Sequence, residues 1–82
     1  MVMYEAGMLA RSKAGHDKAQ MYIIKEVDDT YVYLVEGRIR TLGHPKKKKK
    51  KHVQIVHGIY NMKELDDAGI RKLIKDWMKE EK

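Results

Sequence analysis

Two runs of β-branched and aromatic residues, Met21 to Val27 and Tyr31 to Val35, are separated only by Asp28-Asp29-Thr30. Residues of this kind fit a pleated, half-buried surface, and three short polar residues between them suit a tight reversal. The pair therefore predicts an antiparallel hairpin, and the rest of the chain must be built around it. Met8, Leu9 and Ala10 ahead of Arg11 and Ser12 predict a short first strand. Ala14-Gly15-His16-Asp17 then reads as a turn, since Gly15 takes positive φ freely and Asp17 can accept from nearby backbone N–H groups. Glu36-Gly37 supplies the next turn, and Arg38 to Leu42 is expected to be a further short strand. Gly43-His44-Pro45 ends it. The lysines Lys46 to Lys51 are expected to form an exposed loop, because six ammonium groups cannot be buried. Val53, Ile55 and Val56 mark a last strand.

The period then changes. Ile70, Leu73, Ile74, Trp77 and Met78 fall at helical spacing and make one apolar stripe. Asp66 is placed to cap that helix, Asp67 adds favourable charge in its first turn, and Leu65 can staple onto Ile70. Five short strands followed by one helix, in a chain of 82 residues, predict a single mainly β domain. The expected form is a small, partly open barrel over about residues 6–58 with a C-terminal α-helix over about 66–80. A chain this short buries only roughly 60–65% of its unfolded surface, which leaves little for a deep pocket.

Charge narrows the function. Lys and Arg total 18 against 12 Asp and Glu, a net charge of +6. Removing the six lysines of the Lys46 to Lys51 run leaves 12 of each sign, so the whole excess is equivalent to that run. A localised positive field implies a polyanionic partner. Cysteine is absent, which excludes a disulfide framework and thiolate metal sites. The first twelve residues lack the basic-then-apolar pattern of a signal peptide, and no stretch approaches the ~20 apolar residues of a spanning helix. A cytoplasmic protein with no membrane partner is expected.

Much of the chain resembles the KOW motif of ribosomal proteins and transcription-elongation factors. The residues that carry the likeness are Ser12-Lys13-Ala14-Gly15-His16-Asp17-Lys18, the apolar run Met21-Tyr22-Ile23-Ile24, Val27-Asp28-Asp29, and Tyr31 to Val35. Arg40-Thr41-Leu42, the Pro45 to His52 stretch and Leu65-Asp66-Asp67-Ala68-Gly69-Ile70-Arg71 are similar to small bacterial KOW-domain proteins. The resemblance implies an SH3-like barrel and binding to structured RNA, ribosomal RNA first, in the setting of the ribosome and translation. It departs from the family at Ala19, where a second glycine is usual.

The expected contact residues follow from charge and from this likeness. Lys46, Lys47, Lys48, Lys49, Lys50 and Lys51 would engage phosphates and release counterions, giving affinity but no sequence readout. His44 and His52 extend that basic stretch and gain charge as pH falls toward ~6.5. Lys13, His16 and Lys18 surround a turn opened by Gly15, whose backbone N–H groups can cradle a phosphate; a merely polar hairpin connection is the plainer alternative. Arg38 and Arg40, on one strand parity, would reach phosphates or stack on an unpaired base. Tyr22, Tyr31, Tyr33 and Tyr60 are better read as core than as stacking residues, and no aromatic ladder for single strands is evident.

No metal, cofactor or small-molecule substrate is expected, because the histidines at 16, 44, 52 and 57 show no helical i, i+4 pair. Ser12 is the only serine and no phosphate-binding or dinucleotide fingerprint occurs, so an enzyme is not expected. The rival reading is a protein-interaction SH3-like module of a transcription or translation complex, with non-specific DNA compaction a third.

Overall fold

The computed structural model describes residues 3–13 and 20–80. Its elements are strands β1 (Met8–Ser12), β2 (Met21–Val27), β3 (Tyr31–Val35), β4 (Lys46–Lys49) and β5 (Val53–Ile59), then helix α1 (Asp67–Glu80). Short 3₁₀ turns occupy Lys50–His52 and Met62–Glu64. The five strands form one antiparallel sheet in the order β4-β3-β2-β1-β5.

That order dictates the shape. β4 and β5 are the two edges of the sheet, yet they are joined by three 3₁₀ residues, Lys50–His52. In a flat sheet, edges four gaps apart would be separated by about 19 Å. Three residues of 3₁₀ helix rise only about 6 Å. The sheet must therefore curl until its edges come together at that corner, which makes a half-barrel. The closing corner is fastened by backbone bonds, Lys13 N–H to His52 O at 2.8 Å and Lys50 N–H to Thr30 O at 3.0 Å. The Tyr4 hydroxyl donates to Lys50 O at 2.9 Å. The fold is mainly β, an SH3-like barrel with a C-terminal helix.

Curling gives the sheet two buried faces. Ala10, Tyr22, Ile24, Val32, Leu34 and Val53 fill the inside. Leu9, Met21, Ile23 and Val35 lie on the outer face, where Ile70 and Ile74 of α1 cover them. This is why Met21 to Ile24 is an unbroken apolar run: β2 is covered on both sides. Leu73 and Trp77 pack on the same outer cluster, but Met78, the last member of the predicted stripe, stays 41% exposed. A helix of 14 residues would be marginal alone and is held by this seam. It begins as the sequence predicts, with the Asp66 carboxylate accepting Gly69 N–H at 2.7 Å. Among the described residues no helix is long and apolar enough to cross a membrane.

Two sequence expectations are corrected. Arg38 to Leu42 is not a strand. Gly37 takes φ +90° and ends β3, and the N–H groups of Glu36 and Gly37 both donate to Arg40 O. The Glu36 carboxylate accepts from Arg38 N–H and Arg40 N–H, both at 2.7 Å, so the chain is closed into a turn before any ladder can form. The fourth strand comes instead from Lys46–Lys49, expected to be a loop. Lysine cannot bury its ammonium, but an edge strand does not require it to. One side of β4 pairs with β3 while the other stays open, and charge on an open edge discourages pairing with a second chain.

Candidate nucleic-acid interface

The pairing of β4 with β3 assigns each lysine a direction. Lys46 stands opposite Leu34 and Lys48 opposite Val32, two residues of the inner core. Both lysines are half-buried beside the margin of that core. The Lys46 ammonium sits 5.9 Å from the centre of the Tyr22 ring. Desolvation, helped by the neighbouring Lys48 charge, holds its pKa below the ordinary lysine value. Lys47 and Lys49 point the other way, opposite Tyr33 and Tyr31, and are exposed. The Lys47 ammonium lies 4.2 Å from the centre of the Tyr31 ring, a close cation–π contact.

At the end of β4 the basic residues turn the closing corner. Lys50 donates to Asp29 O at 3.2 Å and lies 5.9 Å from the Tyr4 ring. Lys51 and His52 are exposed, and Lys13 is brought alongside by its backbone bond to His52. An open cleft of about 340 Å³ sits here, lined by Asp29, Thr30, Lys49, Lys50 and Lys51. Among the described residues, none of Lys47 to Lys51 is ion-paired to a carboxylate.

The β2–β3 turn that forms one wall is rigid for a local reason. The Asp28 carboxylate accepts Thr30 N–H at 2.9 Å, Tyr31 N–H at 2.7 Å and the Tyr33 hydroxyl at 2.9 Å. The backbone donors, Tyr31 first, then Thr30, with the Tyr33 hydroxyl after them, hold the Asp28 pKa below the usual carboxylate value. The same bond raises the Tyr33 phenol, which keeps its proton to donate.

The remaining expected residues are distributed unevenly. Arg38, Arg40 and His44 are all exposed but belong to the β3–β4 connection, at the opposite end of β3 from the cleft. Arg38 and Arg40 share a tight turn rather than a strand face. Gly15, His16, Lys18 and Ala19 lie outside the described residues. Among the described residues no three His, Asp or Glu side chains form a group able to hold a metal.

No family model matches the chain, and no curated protein does.

The geometry corrects the expectation that Tyr31 and Tyr33 are core residues, since neither belongs to a core cluster. Tyr31 and Tyr33 alternate with the buried Val32 and Leu34, so both project from the outer face beside Lys47 and Lys49. The signal was available in their i, i+2 spacing. Ile39 is 82% exposed between Arg38 and Arg40, at the tip of the turn held by Glu36. Lys25 is absorbed structurally, donating to Leu42 O at 2.8 Å from the bulged position of β2.

Proposed function

We propose that the chain is a cytoplasmic RNA-binding module that docks on folded RNA, ribosomal RNA or the ribosome being the first candidate. Its action is binding without chemistry. The observation that carries this reading is the direction of the cations: Lys47, Lys49 and Lys51 are exposed along one strand and its closing corner, with none of them spent on a carboxylate of the described chain. Successive cations along an extended backbone suit a sugar–phosphate polymer, and each phosphate neutralised releases counterions. Lys13 and His52 add to the same end. Arg38, Arg40 and His44 offer a second group at the other end, so that a bound RNA is held at two places and its orientation is fixed. Gly15, His16 and Lys18 belong to this proposal through the resemblance to the KOW motif, whose RNA contact involves that turn.

The test is a gel-shift series with ribosomal RNA fragments, an RNA hairpin and a matched DNA duplex, across salt. The unaltered chain should show a log–log salt slope of roughly −3 to −4. Replacing Lys46 to Lys51 with Gln should flatten it and weaken binding. Unchanged affinity and slope would dismiss RNA in favour of a protein-interaction module. Equal affinity for DNA and RNA of matched shape would favour nucleic-acid compaction.

A further inference from the structure

The outer face of β3 and β4 carries two tyrosines and two lysines in register. Tyr33 pairs with Lys47 and Tyr31 with Lys49. The four side chains share one side of the sheet, because the residues between them, Val32 and Leu34, are fully buried on the other. The helix does not reach this patch: its buried residues Ile70 and Ile74 pack on Leu9, Met21, Ile23 and Val35, and Tyr31 and Tyr33 belong to neither core cluster. Both tyrosines are half-buried. Tyr33 is locked through its hydroxyl to Asp28, and the backbone of Tyr31 is fixed by the same carboxylate. Tyr31 therefore presents its ring from a backbone position set before any ligand arrives. A cation already lies on that ring, the Lys47 ammonium at 4.2 Å. The cleft lined by Lys49, Lys50 and Lys51 opens immediately beside it, since Lys49 is the residue paired with Tyr31.

We propose that Tyr31 is the stacking platform for an unpaired base of the bound RNA, with the phosphates flanking that nucleotide seated against the lysines of the adjoining cleft. This rests on the RNA reading above and adds to it the kind of nucleotide recognised, one that is not base-paired. The exchange is favourable by magnitude. An exposed cation–π contact contributes about two- to fivefold to an equilibrium. A base stacked on an aromatic ring contributes roughly five- to a hundredfold. The displaced Lys47 ammonium is not left without a role, because a phosphate of the arriving strand lies within reach of the same flexible stem. Stacking is tolerant of base identity, so the platform selects for unpairing and not for sequence.

The test compares two probes, an RNA hairpin closed by an unpaired uridine loop and the blunt duplex of the same stem. Tyr31→Leu should weaken hairpin binding roughly five- to a hundredfold and change duplex binding by less than about twofold, with the salt slope unaltered because no charge is removed. Tyr31→Phe, which keeps the ring, should retain hairpin affinity. Should Tyr31→Leu fail to fold, the unaltered chain supplies the reading: the Tyr31 ring-proton resonances should move upfield on adding the hairpin and stay in place with the duplex. Equal weakening on both probes, or ring resonances indifferent to a hairpin that binds, would overturn the platform while leaving RNA binding intact. An unaltered chain that binds neither probe would overturn both readings together.

Discussion

The carboxylate of Asp67 accepts the backbone N–H of Leu42 at 2.8 Å, tying the first turn of the helix to the loop between β3 and β4. Arg71, one turn further on, donates from its guanidinium to Gly37 O in the same loop. The helix thus does more than cover the outer core. It fixes the path of the segment that delivers Arg38, Ile39 and Arg40 and then starts the lysine strand. Asp66 and Asp67 look alike in the sequence as acidic residues at a helix start, yet their tasks differ. Asp66 caps an exposed helix end, whereas Asp67 makes a part-buried, charge-assisted bond across 25 residues.

Asp67→Ala should therefore destabilise the fold by roughly 1.5–3 kcal/mol, the range for a hydrogen bond to a charged group. Asp66→Ala should cost about 1 kcal/mol, the ordinary value of an N-cap. Urea unfolding of the two variants measures the difference. Asp66→Ala proving the costlier change would mean that the loop is not held by the helix.

Gly37 sits where no side chain fits. Its φ is +90°, and a Cβ there would stand 2.5 Å from Asp67 O and 2.7 Å from Arg71 Cγ. Gly37→Ala meets both a strained backbone and a clash with the first turn of the helix, for a loss of about 3 kcal/mol. Gly43, six residues on, has no atom within 4 Å of the same added group and no positive φ. Gly43→Ala should change stability by less than about 0.5 kcal/mol. Thermal unfolding of the two alanine variants side by side is the check.

Asp28 predicts an acid-sensitive turn. Its folded-state pKa is held below the usual carboxylate value by the N–H groups of Tyr31 and Thr30 and by the Tyr33 hydroxyl. A carboxyl whose pKa is depressed by folding stabilises the native state above its unfolded pKa. That contribution is lost as pH falls below about 4 and through the lowered folded-state value. Asp28→Asn removes the charge at every pH. The variant should be less stable than the unaltered chain at pH 7, and the gap should close between pH 4 and pH 2. Thermal midpoints of both proteins across that range give the answer; a gap that widens on acidification would refute the assignment.

The parts of the fold that were legible in the sequence are those in which packing and local preference agree. Met21 to Val27 and Tyr31 to Val35 are β-formers on either side of an Asp-rich turn, and the turn is closed by Asp28 itself. The stripe from Ile70 to Trp77 has helical period and a capping Asp66 before it. The fourth strand was not legible because lysine has little preference for strands. What makes Lys46–Lys49 extended is the neighbour β3, with which it pairs at every position, and that is a tertiary fact. Arg38 to Leu42 misled in the opposite sense. Ile39, Thr41 and Leu42 have strand-like side chains, but the Glu36 carboxylate offers the backbone a competing set of bonds. The cationic residues of the candidate site were evident from charge and the alternation of Tyr31 with Tyr33 from spacing, whereas the directions of the lysines required the register.

Those directions divide the lysine strand into two functional pairs. Lys47 and Lys49 face solvent on the outer side; Lys46 and Lys48 run along the margin of the inner core, opposite Leu34 and Val32. Under the proposed function only the first pair is free to meet phosphates without giving up packing. Replacing Lys47 and Lys49 together with Gln should reduce the magnitude of the RNA salt slope by about 1.4–1.8, since each lost phosphate contact removes about 0.7–0.9. Stability should change little, because exposed substitutions of this kind stay within about 0.5 kcal/mol. Replacing Lys46 and Lys48 should show the opposite pattern, with a smaller change in slope and a measurable loss in unfolding free energy as the aliphatic stems leave the core margin. A run of identical residues treated as an unstructured cationic tether would lose the same slope from either pair. Fluorescence titrations across salt for the two double variants therefore decide whether β4 presents its lysines by strand alternation, and an equal effect from both pairs would show that it does not.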